Sequence, residues 1–378
     1  MPIGLYIHVP FCLQKCRYCD FSSYPLEQGQ VEHYLRGLRQ EMAYYKEILT
    51  PEQKQTATIF VGGGTPTCLV SGQLTGILEQ VNRFFTIIPG AEITTEANPG
   101  TVTPDSLREL RAAGFNRLSL GVQSTHRELL RLLGRIHDFE QARQAVQDAR
   151  AAGFENINLD LIFGLPTQTV AHWRQSVSDI LDLAPEHLSC YSLQLEEGTP
   201  LSGAVDRGQL AACPEETELA MYHIVMEMLS AAGYRHYEIS NFALPGCQCR
   251  HNLLYWHNRE YLGLGPAAHS HLNGVRWGNV EEIHQYVSLL HRGQRPAEEI
   301  QTLSRREQME ETVFLGLRLI EGVSLDAFQQ HFGAALTEAF NKQIRDLTEK
   351  GLVELAAGHL KLTGKGLPLA NQVFAEFV

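Results

Sequence analysis

Short apolar runs alternate with amphipathic stretches through the first half of the chain. The runs are "GLYIHV", "ATIFVGGG", "EITTEANP", "RLSLGVQS", "INLDLIFGLP" and "HLSCYSLQLEEG", each brief and closed by turn-forming or polar residues, as strands are. Between them "VEHYLRGLRQEMAYYKEIL", "SGQLTGILEQVNRFF", "TPDSLRELRAAG", "FEQARQAVQDARAAG" and "VAHWRQSVSDILDL" repeat apolar residues at helical spacing. Six strands alternating with helices predict a parallel α/β sheet, since parallel neighbours need a crossover between them. Thr103-Pro104 opens one helix that Gly114 ends, and Gly153 closes another just ahead of its strand.

Polar residues fall at the C-terminal ends of these strands: Gly62 to Thr65, Glu96 and Asn98, Gln123, Asp160, and Gln194 with Glu196. In a barrel of parallel strands that end is the ligand face. From about residue 215 the pattern loosens. A helix-like "ELAMYHIVMEMLSAAG" precedes the loop-rich "YEISNFALPGCQCRHNLLYWHNREYLGLGPAAHS", and beyond 300 the order is helix, helix and short hairpin, as in a winged-helix-like module. The expected division is a barrel over 1–235, a linking region over 236–300 and a C-terminal domain over 301–378.

Hydrophobic content of 44% and charged content of 20% in 378 residues describe an ordinary soluble globular protein. A net charge of -12 repels polyanions, so nucleic acid is not an expected partner. "MPIGLYIHVPF" has no basic n-region and no long apolar core, and the expected location is cytoplasmic. Eight cysteines are too few for a disulfide scaffold; the clustering of Cys12, Cys16 and Cys19 points to metal in a reducing compartment.

The spacing C-x3-C-x2-C offers three thiolates on one loop, which suits three corners of a 4Fe-4S cluster with the fourth iron open. Structural zinc is the alternative, but it needs four ligands; His8 or Cys249 could supply the fourth. With "GGGTPT" after the second strand, this loop resembles the radical S-adenosylmethionine (SAM) superfamily, whose fold is a partial (β/α)6 barrel. The resemblance implies a 4Fe-4S cluster on Cys12, Cys16 and Cys19, and SAM chelated to the open iron. It further implies that Gly62, Gly63 and Gly64 let backbone approach the methionine moiety, with Thr65-Pro66 fixing the turn. Glu96 would accept from SAM, while Gln123, Arg135 and Asp160 would position its carboxylate and ribose. Tyr6 and Tyr18 would flank cluster and adenine.

Narrower matches are "YIHVPFC", "EANPGT", "GVQS", "LGRIH", "DLIFGLP", "YEISNFA", "YLGLGPAAHS" and, near the end, "LTGKGLPLANQVFAEF". They resemble the oxygen-independent coproporphyrinogen III dehydrogenase family, which includes decarboxylating dehydrogenases and HemW-type haem chaperones. The dehydrogenases carry a fourth cysteine two positions after the third; here that position is Phe21, the chaperone pattern. They also have an N-terminal extension ahead of the cluster loop, and with Cys12 so near the start none is expected here.

"HNLLYW", His251 to Trp256, matches the H-N-x-x-Y-W motif of the haem chaperones. His251 could ligate haem, Tyr255 and Trp256 offer flat faces to a porphyrin, and Cys249 and His257 are competing ligands. Spacing alone favours His251 and Asn252 as a helix cap and Trp256 as core, and only the resemblance reverses that reading. His126, His137 and His269 are read as hydrogen-bonded structural histidines, and Cys68, Cys190 and Cys213 as small buried hydrophobes. The resemblance therefore implies a haem carrier with haem-dependent recipient proteins, an electron donor and peripheral contact with membrane-bound recipients. It would be a monomer or a cluster-dependent dimer. The alternative is the dehydrogenase itself, decarboxylating two propionates by radical chemistry.

Overall fold

Parallel strands in sequence order build the first half of a computed structural model that describes residues 2–378. They are β1 (Ile3–Val9), then the two-residue pair β2 (Phe11–Cys12) and β3 (Tyr24–Pro25), and β4 (Gln55–Gly63), β5 (Thr86–Ala97), β6 (Arg117–Gln123), β7 (Ile157–Phe163) and β8 (His187–Ser192). The crossovers are α1 (Gln28–Ile48), α2 (Ser71–Phe84), α3 (Pro104–Ala113), α4 (Arg127–Leu133), α5 (Phe139–Ala151) and α6 (Val170–Leu181). Every strand-like run lies on one of the six long strands. Gly114 caps α3 in the left-handed region, at φ 115°, which an L side chain resists.

The sheet continues past the six strands. After α7 (Pro200–Asp206) and α8 (Glu215–Ala231), β9 (Arg235–Glu238) and β10 (Asn241–Ala243) add an antiparallel pair beside β8. The helix α9 (Arg250–Trp256) leads to β11 (Tyr261–Leu264), which pairs parallel with β1 on its other edge. β12 (His269–Leu272), β13 (Val275–Asn279), α10 (Ile283–His291) and β14 (Ala297–Thr302) follow, the strands pairing antiparallel. The order is β14-β13-β12-β11-β1-β4-β5-β6-β7-β8-β10-β9. Among the described residues its two ends do not pair, so the barrel is partial.

The residues of β6 are buried on both faces, as a parallel sheet between helices and barrel interior requires. On one face the apolar side chains of β1, β4, β6 and β7 pack against the helices in one large core. On the other, Arg117, Ser119, Gln123, Asn158 and Asp160 share the barrel interior and its mouth.

The segment read as loop-rich thus contains four strands of the main sheet. They are short and interrupted by Gly, Asn and His, which hides the two-residue period.

A second core runs from Met309 to Phe377. It joins α11 (Arg305–Gly316), β15 (Val323–Ser324), α12 (Leu325–Phe332), α13 (Leu336–Ala339) and α14 (Asn341–Glu349) to the hairpin β16 (Val353–Ala356) and β17 (His359–Leu362), and the chain closes on α15 (Ala370–Ala375). Helices beside a small three-stranded sheet of order β15-β17-β16 give the winged-helix-like arrangement. No helix among the described residues is long and apolar enough to cross a membrane.

Candidate functional site

The cysteine loop is fastened at both ends. Tyr24 N–H donates to Pro10 O at 2.8 Å and Leu26 N–H to Cys12 O at 3.0 Å, so β2 and β3 clamp its base. At the tip, Arg17 N–H donates to Leu133 O at 2.9 Å and Leu201 N–H to Arg17 O at 2.8 Å. These bonds fix the loop over the C-terminal ends of the strands.

Cys12, Cys16 and Cys19 are all free thiols, half-buried on one cavity wall. Arg135 Nη1 donates to Cys16 Sγ at 3.4 Å, and Cys12 Sγ faces Thr65 Oγ1 at 3.5 Å. Burial, and then charge on Cys16 and Cys12, push the Cys19 thiol up to about 11. Metal ligation requires thiolates, which a cationic centre would favour at Cys19, and three free thiols on one loop fit an iron–sulfur cluster.

The glycine turn after β4 is zipped to the same loop. Gly64 N–H donates to Val9 O at 2.9 Å and Thr65 N–H to Phe11 O at 2.7 Å. Gly63 has φ 106°, and a Cβ there would stand 2.4 Å from His8 Nδ1. His8 cannot easily yield: its Nε2–H donates to Ser22 O at 2.8 Å and its Nδ1 accepts from the Tyr6 hydroxyl at 3.0 Å.

A cavity of about 440 Å³ opens in front of these elements. Tyr18, Gly63, Gly64 and Thr65 border it with the three cysteines, and Glu96, Gln123, Arg135 and Asp160 complete it. Asn98 Nδ2 donates to Thr65 Oγ1 at 3.0 Å, and Arg135 Nη2 donates to Asn98 Oδ1 and, at 2.5 Å, to Gly121 O. One chain of bonds therefore connects the glycine turn to the cysteine loop.

The electrostatics call for a cation. Burial, and then the charge of Asp160, raise the Glu96 carboxyl to about 8, although Gly63 N–H donates to its Oε2 at 3.0 Å. Burial raises Asp160 as well, against Asn158 Nδ2 donating at 2.7 Å. Gln123 sits at φ 69° with its Oε1 buried and without a protein partner. Two reluctant carboxylates and an orphan acceptor fit a ligand bearing ammonium, sulfonium and hydroxyl groups, as SAM does.

A second cavity, of about 670 Å³, adjoins the first, and Phe21, Gly63 and Glu96 border both. Tyr6 faces this second space, whereas Tyr18 faces the first. Tyr255, Trp256 and Tyr261 form one wall and Phe314 and Leu315 of α11 another. Arg276 of β13 ties that wall in place with a bidentate pair to Glu311, 2.7 Å on each arm.

The haem-motif residues divide here. Tyr255 and Trp256 reach the second cavity; His251 and Cys249 reach neither. His251 is 1% exposed, its Nδ1 2.8 Å from Thr58 Oγ1 and its Nε2 2.8 Å from Tyr255 Oη. Cys249 N-caps α9, is 0% exposed, and burial, opposed by Arg117, pushes its thiol up to about 12. Glu92 satisfies the start of that helix, accepting from Arg250 N–H and His251 N–H at 3.0 Å each. His126 donates to His172 O at 3.0 Å and His137 to Val122 O at 3.1 Å, as structural histidines do.

The sequence matches the Radical SAM superfamily over residues 6–180 and the HemN C-terminal domain over residues 303–369. "Heme chaperone HemW" of Bacillus subtilis (strain 168) is 41% identical over 374 residues, 99% of this chain and 98% of that protein. The chain belongs to the HemW family. The HemW of Lactococcus lactis subsp. lactis (strain IL1403) is 36% identical, covering 100% of this chain and 97% of its own length. Among solved structures, coproporphyrinogen III oxidase (HemN) from Escherichia coli, a radical SAM enzyme, superposes with a TM-score of 0.87 at 25% identity, over 100% of this chain and 90% of that one. This chain and that enzyme thus share one architecture, and radical SAM membership implies a 4Fe-4S cluster and SAM.

Sequence reasoning missed the second cavity. Its walls come from α9, β11, β13 and α11, far apart in the chain, and only the "HNLLYW" and "YLGLGPAAHS" matches hinted at them.

Proposed function

We propose that the protein is a haem chaperone: it binds haem and hands it to haem-dependent recipient proteins, on a radical SAM scaffold carrying one 4Fe-4S cluster and SAM. The observation that carries this reading is the end-to-end identity with relatives named for that role. Phe21 supports it, since a side chain 59% exposed at the rim of both cavities offers no ligand atom where the dehydrogenases have a cysteine.

In this reading Cys12, Cys16 and Cys19 hold three irons of the cluster. Arg135 hydrogen-bonds the Cys16 sulfur and keeps Asn98 and Thr65 in register. Gly63 and Gly64 leave room for the amino-acid end of SAM, Glu96 and Asp160 face its cationic groups, and Gln123 Oε1 accepts from it. Tyr18 closes the cluster side. When bound, the cluster can pass one electron, received from a separate donor protein, to the sulfonium of SAM. Tyr6, Tyr255 and Trp256 offer the adjoining cavity a flat apolar lining suited to a porphyrin.

The test is a haem titration of anaerobically reconstituted protein, followed by coproporphyrinogen with SAM and dithionite. A Soret shift without porphyrinogen turnover is expected. Conversion to protoporphyrinogen would overturn the reading in favour of the dehydrogenase, and the absence of any haem complex would end it.

A further inference from the structure

We infer that haem occupies the 670 Å³ cavity between the barrel mouth and α11, with the imidazole of His269 as its axial ligand and His251 outside the coordination sphere. The inference rests on the haem-chaperone reading and names the site at which the cargo is held.

The volume lies within the range of about 300–1,000 Å³ typical of pockets for bulky small molecules. The walls are flat and apolar where a macrocycle needs faces: Tyr6, Tyr255, Trp256 and Tyr261 on the barrel side, Phe314 on the other, and Phe21 at the rim. Axial ligation needs an imidazole nitrogen with a free lone pair pointing into that space.

Two histidines line the cavity, His8 and His269. Both nitrogens of His8 are committed, to Ser22 O and to the Tyr6 hydroxyl, and the ring is 6% exposed. His269 is exposed, and among the described residues its side chain makes no hydrogen bond. This departs from the satisfied histidine expected from the sequence. Strand pairing sets His269 opposite Gly278, and the imidazole lies over that glycine: a Cβ there would stand 3.0 Å from His269 Cε1. The ring is thus placed by shape, with both nitrogens left over for a ligand.

His251 has the reverse properties. Its two nitrogens are bonded to Thr58 and Tyr255, its ring stacks on Phe60 with centroids 5.3 Å apart, and it borders neither cavity. Iron could reach it only by breaking one of those bonds and carrying the porphyrin between β4 and α9. His251 is a positioning residue: it holds the Tyr255 hydroxyl and so the orientation of a cavity wall. An exposed ligand at the mouth also suits a carrier, because a recipient's own ligand can displace it without opening the core.

The test is ferric haem titration of the full-length, anaerobically reconstituted protein, read by the Soret band and its ligation-state spectrum, with metal-free protoporphyrin as the control probe. His269→Ala should weaken haem binding about tenfold or more and abolish the histidine-ligated spectrum. Added imidazole should restore that spectrum, and metal-free protoporphyrin should bind as before. His251→Gln should keep the parent's ligated spectrum, and Phe314→Glu should weaken both porphyrins. An unchanged haem spectrum in His269→Ala, equal loss of both porphyrins in that variant, or loss of the ligated spectrum in His251→Gln would overturn the assignment. A parent protein that binds no haem would instead bring down the chaperone reading itself.

Discussion

His251→Ala removes a buried side chain whose every polar contact is known. At neutral pH the substitution leaves the Thr58 hydroxyl without its partner in the interior and strips the Tyr255 hydroxyl of its own. Unpaired buried hydroxyls cost about 1–3 kcal/mol each, and the stack on Phe60 contributes about 0.5–1.5 kcal/mol more. Tyr255 borders a cavity that water can enter, so the lower half of the range applies, about 3 kcal/mol in all. Acid narrows the gap. Burial, and then the Arg117 charge, depress the His251 pKa from 6.5 to about 3. Below 6.5 the unfolded chain takes up a proton that the native site refuses until about pH 3, so the stability His251 contributes falls with pH. By about pH 5 the parent has lost about 2 kcal/mol on this account, and the alanine variant none. Urea unfolding at matched cluster content should therefore show a deficit of about 3 kcal/mol near neutrality shrinking to about 1 kcal/mol at about pH 5. A negligible deficit at neutral pH, or one that widens in acid, would refute the reasoning.

Gly63→Ala should fold but lose SAM affinity by about tenfold or more, because its Cβ meets a pinned His8 at 2.4 Å and φ 106° is strained for alanine; calorimetric SAM titration beside circular dichroism checks both. Without a cationic neighbour, Glu96 stands protonated below about 8, and a cationic ligand favours its charged form. SAM affinity should accordingly rise with pH towards that value and flatten above it, and Glu96→Gln should abolish the slope. Arg276→Gln leaves Glu311 without its bidentate partner at the junction of β13 and α11, which should cost about 1–3 kcal/mol and expose the C-terminal module to limited proteolysis before the barrel is cut.

The barrel was legible because its evidence is local. In "RLSLGVQS" and "INLDLIFGLP" apolar and polar residues alternate within one strand, and the polar ends mark the mouth without knowledge of pairing. The cysteine loop was legible for the same reason: its three donors lie within eight positions of one another. What stayed hidden depends on contacts between distant segments. β11 joins the parallel sheet beside β1 although more than 250 residues separate them, and no pattern inside "YLGL" announces that edge. His251 carries a motif, yet its burial on the inner side of α9 was decided by Thr58 and Glu92 on β4 and β5. His269 looked ordinary because its freedom comes from Gly278 on the next strand, which the spacing of histidines does not reveal.

Phe21, Gly63 and Glu96 belong to the walls of both cavities, so the two spaces are neighbours separated by a thin partition. A positive charge against one side fixes the ionisation of Glu96 for the other, and a flat molecule against Phe21 limits where its ring can turn. Occupants on the two sides then enter one thermodynamic cycle. With SAM and haem placed as proposed, whatever factor SAM imposes on the affinity for haem, haem must impose the same factor on the affinity for SAM. In the placement proposed, the occupant of the first cavity would tune how firmly the second keeps its own, through the residues that the two walls share.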